Sequence, residues 1–281
     1  MRKKVPLLPN VITAFGLTCG LFVIFKMNMT GIGEVNYQLL MTLIGFLAIA
    51  GLADVLDGAV ARALKVESEF GGLFDSLADA ITWGVAPSVI ILKSLSIAPG
   101  TELSFMITSS ALVYSLCGVL RLVRFNVMSN AVKNDEELAA ANQKNFTGLP
   151  IPAAAAAAVS ANLFLVSEGF QRFFSISEET RSLILFAVLI VLGYFMISRW
   201  KFPSVKSLRV RVASFRVVFL IVIIAVLIFY GLLHHFALIF VVMTWSYVIV
   251  AWVLSIIRVL SGRKLKTLED FEPEPEDDLE E

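Results

Sequence analysis

The sequence predicts an all-α integral membrane protein, a polytopic helix bundle with about eight transmembrane helices. Of its 281 residues, 58% are hydrophobic and only 16% are charged, and the mean hydropathy is +0.82. A soluble chain of this length needs far more polar surface. For most of the chain, the composition therefore excludes a soluble globular domain, a disordered protein and a disulfide-stapled secreted fold.

Each predicted span is a stretch of about 20 mostly apolar residues, the length a helix needs to cross a bilayer. The second and third spans differ from the others because they contain aspartates, and the fifth carries the alanine run 153–158, whose small side chains favour close helix packing. The last two form a hairpin that is long and apolar, although a six-span reading without it fits the charges equally well. The spans in chain order are 8–27, 37–62, 72–95, 104–125, 148–167, 182–199, 216–233 and 236–258.

The basic residues predict the orientation of these spans. With the N-terminus inside, 19 of the 23 Lys and Arg residues lie on the inner side, and only Lys26, Lys93, Arg172 and Arg181 lie outside. Loops rich in Lys and Arg stay in the cytoplasm. We therefore expect a multi-pass protein of the cell (plasma) membrane with both termini in the cytoplasm.

The chain divides into three parts at this level. Residues 1–215 form the predicted catalytic membrane domain, 216–260 a C-terminal transmembrane hairpin, and 261–281 an acidic cytoplasmic tail. The last 13 residues hold 9 of the 23 acidic groups, and a segment of that composition does not bury a core. The remainder carries a net charge of +9, which suits anionic lipid on the cytoplasmic side.

Four aspartates of the second and third spans form the most informative feature of the sequence. Asp54 and Asp57 are three residues apart, and Asp75 and Asp79 are four apart, so each pair lies on one helix face. A short connection makes the two helices antiparallel neighbours. We therefore expect all four carboxylates to meet near the cytoplasmic ends of the spans.

The energetic cost of this cluster points to bound cations. An aspartate at the centre of a membrane helix costs about 2.5–3.5 kcal/mol on insertion scales, and four left uncompensated approach roughly 10 kcal/mol. Only Arg62 lies close in sequence, and a pair of divalent cations would offset the remaining charge. Two metals and an arginine at a cytoplasmic opening indicate phosphoryl-group chemistry, in which a fourth carboxylate can act as general base.

The pattern D-x2-D-G-x2-A-R-x8-G-x3-D-x3-D begins at Asp54 and ends at Asp79, and every one of its fixed positions is present. It resembles the signature of the CDP-alcohol phosphatidyltransferases, and Pro9-Asn10-x-x-Thr13 resembles the N-terminal element of that family. The resemblance implies a six-helix catalytic core. The segments 74–79, 84–87, 121–126 and 146–152 are similar to the phosphatidylserine synthase branch.

The resemblance implies transfer of the phosphatidyl group of CDP-diacylglycerol to the hydroxyl of L-serine, which gives phosphatidylserine and CMP. It implies that Asp54, Asp57 and Asp75 bind two divalent metal ions, Mg²⁺ or Mn²⁺, and that Asp79 is the general base and a further ligand. The residues implied for the CDP-diacylglycerol site are Asn10, Thr13, Gly58, Ala61, Arg62 and Ser68.

Serine selection is the less defined part of the prediction. Arg121, Arg124 and Lys144 are cations that could meet the serine carboxylate, and Asn126 could help. Two alternatives stay open: the same chemistry with glycerol phosphate or inositol as acceptor, and a cation-coupled transporter. We expect membrane lipid but no nucleic acid as a partner, and the sequence leaves a homodimer open.

Overall fold

The computed structural model describes residues 7–66, 68–132, 145–203 and 230–261. A π-helical turn at Ala80–Val85 joins α3 to α4, so that the two form one rod, and residues 230–234 are also helical. The helices are α1 (Leu7–Met29), α2 (Tyr37–Leu64), α3 (Glu69–Asp79), α4 (Ala86–Ser94), α5 (Glu102–Val132), α6 (Ile151–Val166), α7 (Glu168–Gln171), α8 (Glu178–Ile197) and α9 (Phe236–Ser261).

The predicted all-α membrane bundle is confirmed. Six helical rods within the described residues are long and apolar enough to cross a membrane, namely α1, α2, the α3–α4 rod, α5, α8 and α9. The fifth predicted span, 148–167, is instead the 16-residue helix α6. At about 24 Å it is shorter than the roughly 30 Å hydrocarbon core, and most of its residues are buried. Most of the seventh predicted span and all of the acidic tail after Ser261 lie outside the described residues.

Two short strands, which the sequence reading did not predict, lie between helices. Strand β1 (Asn145–Thr147) pairs antiparallel with β2 (Lys201–Pro203), and Phe146 lies opposite Phe202. Gly148 follows β1 with a φ of +77°, a conformation that favours glycine, and its N–H donates to the Trp200 carbonyl at 2.9 Å. The ribbon thereby ties the chain before α6 to the end of α8.

Small residues set how closely α1 packs against the aspartate-bearing helices. A Cβ atom at Gly16 would lie 3.3 Å from the Ala53 Cβ, and one at Gly20 would collide with the Thr82 side chain in the π-helical turn. Helix α1 therefore approaches α2 and the α3–α4 rod at nearly backbone distance. This packing brings the start of α1 beside the aspartates.

The opposite end of the bundle is joined by a buried arginine. Arg181 pairs with Glu178 at 3.2 Å, and its Nη2 donates to the Asn162 amide oxygen at 2.9 Å and to the Ser94 hydroxyl at 3.3 Å. These contacts connect α4, α6 and α8. A buried charge with these partners is costly to unpair, so they fix the far ends of the three helices.

Candidate functional site

The connection between α2 and α3 brings the two aspartate pairs together. Helix α2 ends at Lys65, whose left-handed backbone (φ 53°) lets its N–H donate to the carbonyls of Ala61 and Arg62. Three residues later, the Ser68 hydroxyl accepts a hydrogen bond from the Gly71 N–H at 3.0 Å and begins α3. The chain thus reverses within a few residues, and the two helices run side by side.

The structure places the four aspartates in one cluster with an internal division. One carboxylate oxygen each from Asp54, Asp57 and Asp75 lies within 4.8 Å of the other two. Asp79 lies outside this group of three, one helical turn beyond Asp75, yet near enough to Asp54 and Asp75 to interact electrostatically with both. The three close carboxylates are therefore suited to hold a cation, and the fourth stands beside them.

These residues fit a divalent metal ion. All donors in the group are carboxylate oxygens, which hard cations prefer, and Asp57 is only 5% exposed. Arg62 is the cation that interacts with Asp57. Three neighbouring carboxylates in a membrane helix pair repel one another, and a divalent cation between them removes that repulsion.

Thr13 of α1 contacts one of these carboxylates, that of Asp57. Its hydroxyl donates to the Asp57 carboxylate and also lies 3.1 Å from the Pro9 carbonyl of its own helix. Both Thr13 and Asp57 are buried. Thr13, which is predicted to line the CDP-diacylglycerol site, thus also orients the predicted metal ligand Asp57.

A cavity of about 280 Å³ opens beside the cluster. Its wall includes Asp57 and Asp75, and the Arg62 Nη1 lies 3.3 Å from where a Cβ at Gly58 would stand. A larger residue at position 58 would therefore displace the guanidinium. The same cavity is lined by all six residues predicted for CDP-diacylglycerol, namely Asn10, Thr13, Gly58, Ala61, Arg62 and Ser68.

The residues predicted for serine are placed less uniformly. Arg121 lies close enough to Asp79 to interact with it, and its buried Nε has no hydrogen-bond partner among the described residues. Arg124 donates to the Ile197 carbonyl at 3.3 Å, and the Asn126 amide bonds the Ser76 hydroxyl at 3.0 Å. Lys144 lies outside the described residues. Arg121 thus connects the residues predicted for serine with the aspartate cluster.

Two residues near the site were missed by the sequence reading. Trp83 lines a small cavity of about 10 Å³ together with Asp54, Asp57 and Asp79, and its spacing of four residues from Asp79 could have indicated this. Tyr247 of α9 lies near Arg121 and interacts with it electrostatically. Nothing in the sequence pattern connects a residue of the last span with the fourth.

Comparison with known proteins identifies similar sequences and a family. A CDP-diacylglycerol–serine O-phosphatidyltransferase from Helicobacter pylori is 29% identical over 258 residues, which cover 92% of this chain and 95% of the relative. The enzyme of that name from Bacillus subtilis is 32% identical over 201 residues, 71% of this chain and 92% of the relative. An archaetidylserine synthase from Methanothermobacter thermautotrophicus is 34% identical over 167 residues, 59% of each chain. The family model described as CDP-alcohol phosphatidyltransferase matches residues 6–192, and the chain belongs to this family.

Proposed function

We propose that this protein transfers the phosphatidyl group of CDP-diacylglycerol to the hydroxyl of L-serine and releases CMP. The observation that carries the proposal is the single cavity whose wall combines two cluster aspartates with all six residues predicted for the CDP-lipid. The names of the similar proteins support serine as the acceptor. The name archaetidylserine synthase also contains serine but denotes a different lipid, so the names of the similar proteins support serine as the acceptor more strongly than diacylglycerol as the lipid.

The residues of the cavity contact different parts of the CDP-lipid. Arg62 presents a planar fork of N–H donors that matches phosphate oxygens, and its position over Gly58 keeps it at the cavity wall. Gly58 and Ala61 leave room for the nucleotide against α2. The Ser68 hydroxyl and the Asn10 amide oxygen lie 3.2 and 3.3 Å from where a Cβ at Gly71 would stand, and both residues line the cavity.

Asp79 is proposed as the general base. Its carboxylate takes the proton of the serine hydroxyl while that oxygen attacks the phosphorus that bears diacylglycerol. The bond from this phosphorus to the CMP oxygen breaks, and CMP leaves. Asp79 suits this role because it stands outside the close group of three carboxylates and beside it.

We propose that Asp54, Asp57 and Asp75 hold two divalent ions, Mg²⁺ or Mn²⁺, with Asp79 at their edge. When bound, such ions neutralise the diphosphate and favour departure of CMP. For serine, Arg121 is the best-placed cation, since its Nε atom is buried and the side chain interacts with Asp79. Arg124, Asn126 and Lys144 remain predicted contributors at the same end of the bundle.

We propose that the site lies on the cytoplasmic side of the plasma membrane. The ends of α1, α2 and α3 that line the cavity are those the positive-inside rule assigns to the inner side. Labelling with a membrane-impermeant maleimide tests this orientation. A cysteine at Ser68 should react only in opened cells, and one at Gly169 should react in intact cells. Crosslinking in membranes tests the homodimer.

The deciding experiment is an assay of purified protein with CDP-diacylglycerol, a panel of alcohols and a panel of metals. We expect phosphatidylserine and CMP with serine and Mg²⁺ or Mn²⁺, and no product with the Asp79→Asn variant. Product with inositol or glycerol phosphate but not with serine would contradict the proposed acceptor. Turnover that persists in excess chelator would contradict the metal site.

A further inference from the structure

We propose that the small cavity lined by Asp54, Asp79 and Thr82 binds one water molecule, which Thr82 holds against the two carboxylates. Thr82 is thereby a positioning residue for a proposed metal ligand and for the proposed base, and in this respect the inference rests on the proposed function. Three observations carry it: the place of the cavity among the helices, the hydroxyl of Thr82, and the size of the cavity. Thr82 belongs to none of the predicted site sets.

Two cavities lie on opposite sides of the aspartate cluster. The larger, of about 280 Å³, extends from the cluster to the connection between α2 and α3. The smaller, of about 10 Å³, is lined by Leu17, Ala50 and Trp83, which lie one helical turn further from that connection than the polar residues of the cluster. Asp54 and Asp79 border only the smaller of these two cavities. A group bound there contacts both carboxylates from the side away from the CDP-lipid.

The Thr82 hydroxyl is buried and differs from other threonine hydroxyls of the bundle. Threonine in a helix can donate to a carbonyl three or four residues earlier, and Thr18 and Thr42 do so at 2.8 and 2.9 Å. Thr82 lies in the π-helical turn, where the backbone departs from α-helical spacing. It is 3% exposed, and its hydroxyl has no hydrogen-bond partner among the described residues. A hydroxyl buried in this way costs free energy unless a partner satisfies it, which indicates a bound group.

Helix α1 fixes the place of this hydroxyl. Gly20 has no side chain, and a Cβ there would collide with the Thr82 hydroxyl oxygen. The oxygen therefore lies against the bare backbone of α1, between α1 and the α3–α4 rod. Both of these elements contribute to the wall of the smaller cavity, and Thr82 is part of that wall.

The size and lining of this cavity fit one water molecule. A buried water needs a space of about 10–15 Å³ and about two to four polar partners. The cavity has about 10 Å³, and its partners are the Thr82 hydroxyl and the carboxylates of Asp54 and Asp79. The Thr13 hydroxyl at the same cavity already donates to Asp57. A Mg²⁺ ion fits less well, because it takes about six oxygen ligands and much of the wall is apolar.

The bound water restrains both carboxylates. It donates one hydrogen bond to Asp54 and one to Asp79, and it accepts the hydrogen bond of the Thr82 hydroxyl. The proposed base is thereby fixed relative to a proposed metal ligand, and proton transfer requires such a defined distance and direction to the attacking hydroxyl. Losing an outer partner of this kind costs about 10–100-fold in activity or affinity in metal sites.

Thr82→Val removes the hydroxyl and keeps a branched side chain of similar shape. We expect kcat to fall by about 10–100-fold, while KM for CDP-diacylglycerol stays at the wild-type value because Thr82 does not line the larger cavity. Thr82→Ser restores a hydroxyl and should recover most of the lost kcat. The matched control is Thr42→Val, which removes a hydroxyl bonded to the Gln38 carbonyl and should keep wild-type kcat. Unchanged kcat in Thr82→Val, or an equal loss in Thr82→Ser, would overturn the positioning role.

An experimental structure of the purified protein tests the water independently of turnover, and it decides the question if Thr82→Val does not fold. At a resolution that shows ordered water, the wild type should have a density peak in the smaller cavity, about 2.5–3.0 Å from the Thr82 hydroxyl and from a carboxylate oxygen. The peak should be absent in Thr82→Val. An empty cavity in the wild type, or a peak that persists in Thr82→Val, would overturn the proposal. A peak about 2.1 Å from the carboxylate oxygens, the distance of bound Mg²⁺, would also overturn it.

The two hypotheses fail separately. An empty cavity contradicts the water site, whatever the enzyme does. A wild-type protein that makes no phosphatidylserine contradicts the proposed function, and the density still decides whether Thr82 binds water.

Discussion

Replacing Thr13 with valine removes one hydroxyl and leaves a side chain of nearly the same shape. In the structure this hydroxyl donates to the Asp57 carboxylate, and both residues are buried. A hydrogen bond to a charged group contributes about 1.5–3 kcal/mol, because the ion would otherwise lack a partner away from water. Since 1.4 kcal/mol corresponds to about a factor of 10, the loss converts to roughly 10–150-fold.

We expect this loss to appear in metal affinity, because Thr13 orients a carboxylate of the close group of three. The assay is Mn²⁺ titration of purified protein without CDP-lipid, in which the electron paramagnetic resonance signal of free Mn²⁺ gives the dissociation constant. Omitting the lipid separates this effect from any direct contact of Thr13 with the nucleotide. The dissociation constant for Thr13→Val should rise by at least about tenfold.

Thr18→Val is the matched control for this prediction. The Thr18 hydroxyl, on the same helix, donates to the Ala14 carbonyl at 2.8 Å and is exposed. This variant loses a threonine hydroxyl from α1 without touching the aspartates, and it should bind Mn²⁺ as the wild type does. Equal Mn²⁺ affinity in Thr13→Val and wild type would refute the idea that Thr13 supports the metal group.

Three further outcomes follow from the site and its supports. Asp79→Asn should abolish turnover but leave Mn²⁺ and CDP-diacylglycerol binding largely intact, and lost binding with residual turnover would contradict its role as base. Arg62→Ala should raise KM for CDP-diacylglycerol about tenfold or more through loss of charge-assisted phosphate contacts, and an unchanged KM would remove it from the site. Tyr114→Phe leaves the Trp83 carbonyl without its hydroxyl donor, so the protein should be less stable by about 1–3 kcal/mol. An unaltered thermal unfolding midpoint would contradict that estimate.

The aspartate cluster was predictable because its geometry is local. Helical spacing alone puts Asp54 beside Asp57 and Asp75 beside Asp79. Because the connection between them is short, the two apolar helices pack against each other as antiparallel neighbours. The structure adds the division that the spacing did not give, with three oxygens close together and Asp79 apart. That division depends on side-chain directions after packing.

Other features were hidden because they depend on contacts between distant segments. The amide of Asn126, which is predicted to contact serine, bonds the hydroxyl of Ser76, 50 residues away, and no local pattern indicates this contact. Arg181 donates a hydrogen bond to Asn162 on another helix, and because Asn162 is uncharged, no charge pattern in the sequence predicts this contact. The π-helical turn at Ala80–Val85 has a sequence cue in Pro87, which has no N–H to donate to the Trp83 carbonyl. The group that satisfies this carbonyl, the Tyr114 hydroxyl, comes from another helix, and no local pattern predicts it.

The distribution of polar groups along the bundle bears on the transporter alternative. A transporter needs polar groups along a route between the membrane faces. From Asp54 toward the other end of α2, the buried residues are apolar, and Leu43 lies roughly 16 Å from Asp54 along the helix. Ile90 and Ile91 of α4 are buried between the aspartates and the Arg181 cluster. Thr82 and Ser88 of the α3–α4 rod are buried polar residues in this stretch, but neither α2 nor the rod carries a charged side chain between the aspartates and its far end at Tyr37 or Lys93. A cation at the aspartates therefore has no charged partner along these helices, which favours an enzyme that works from one side.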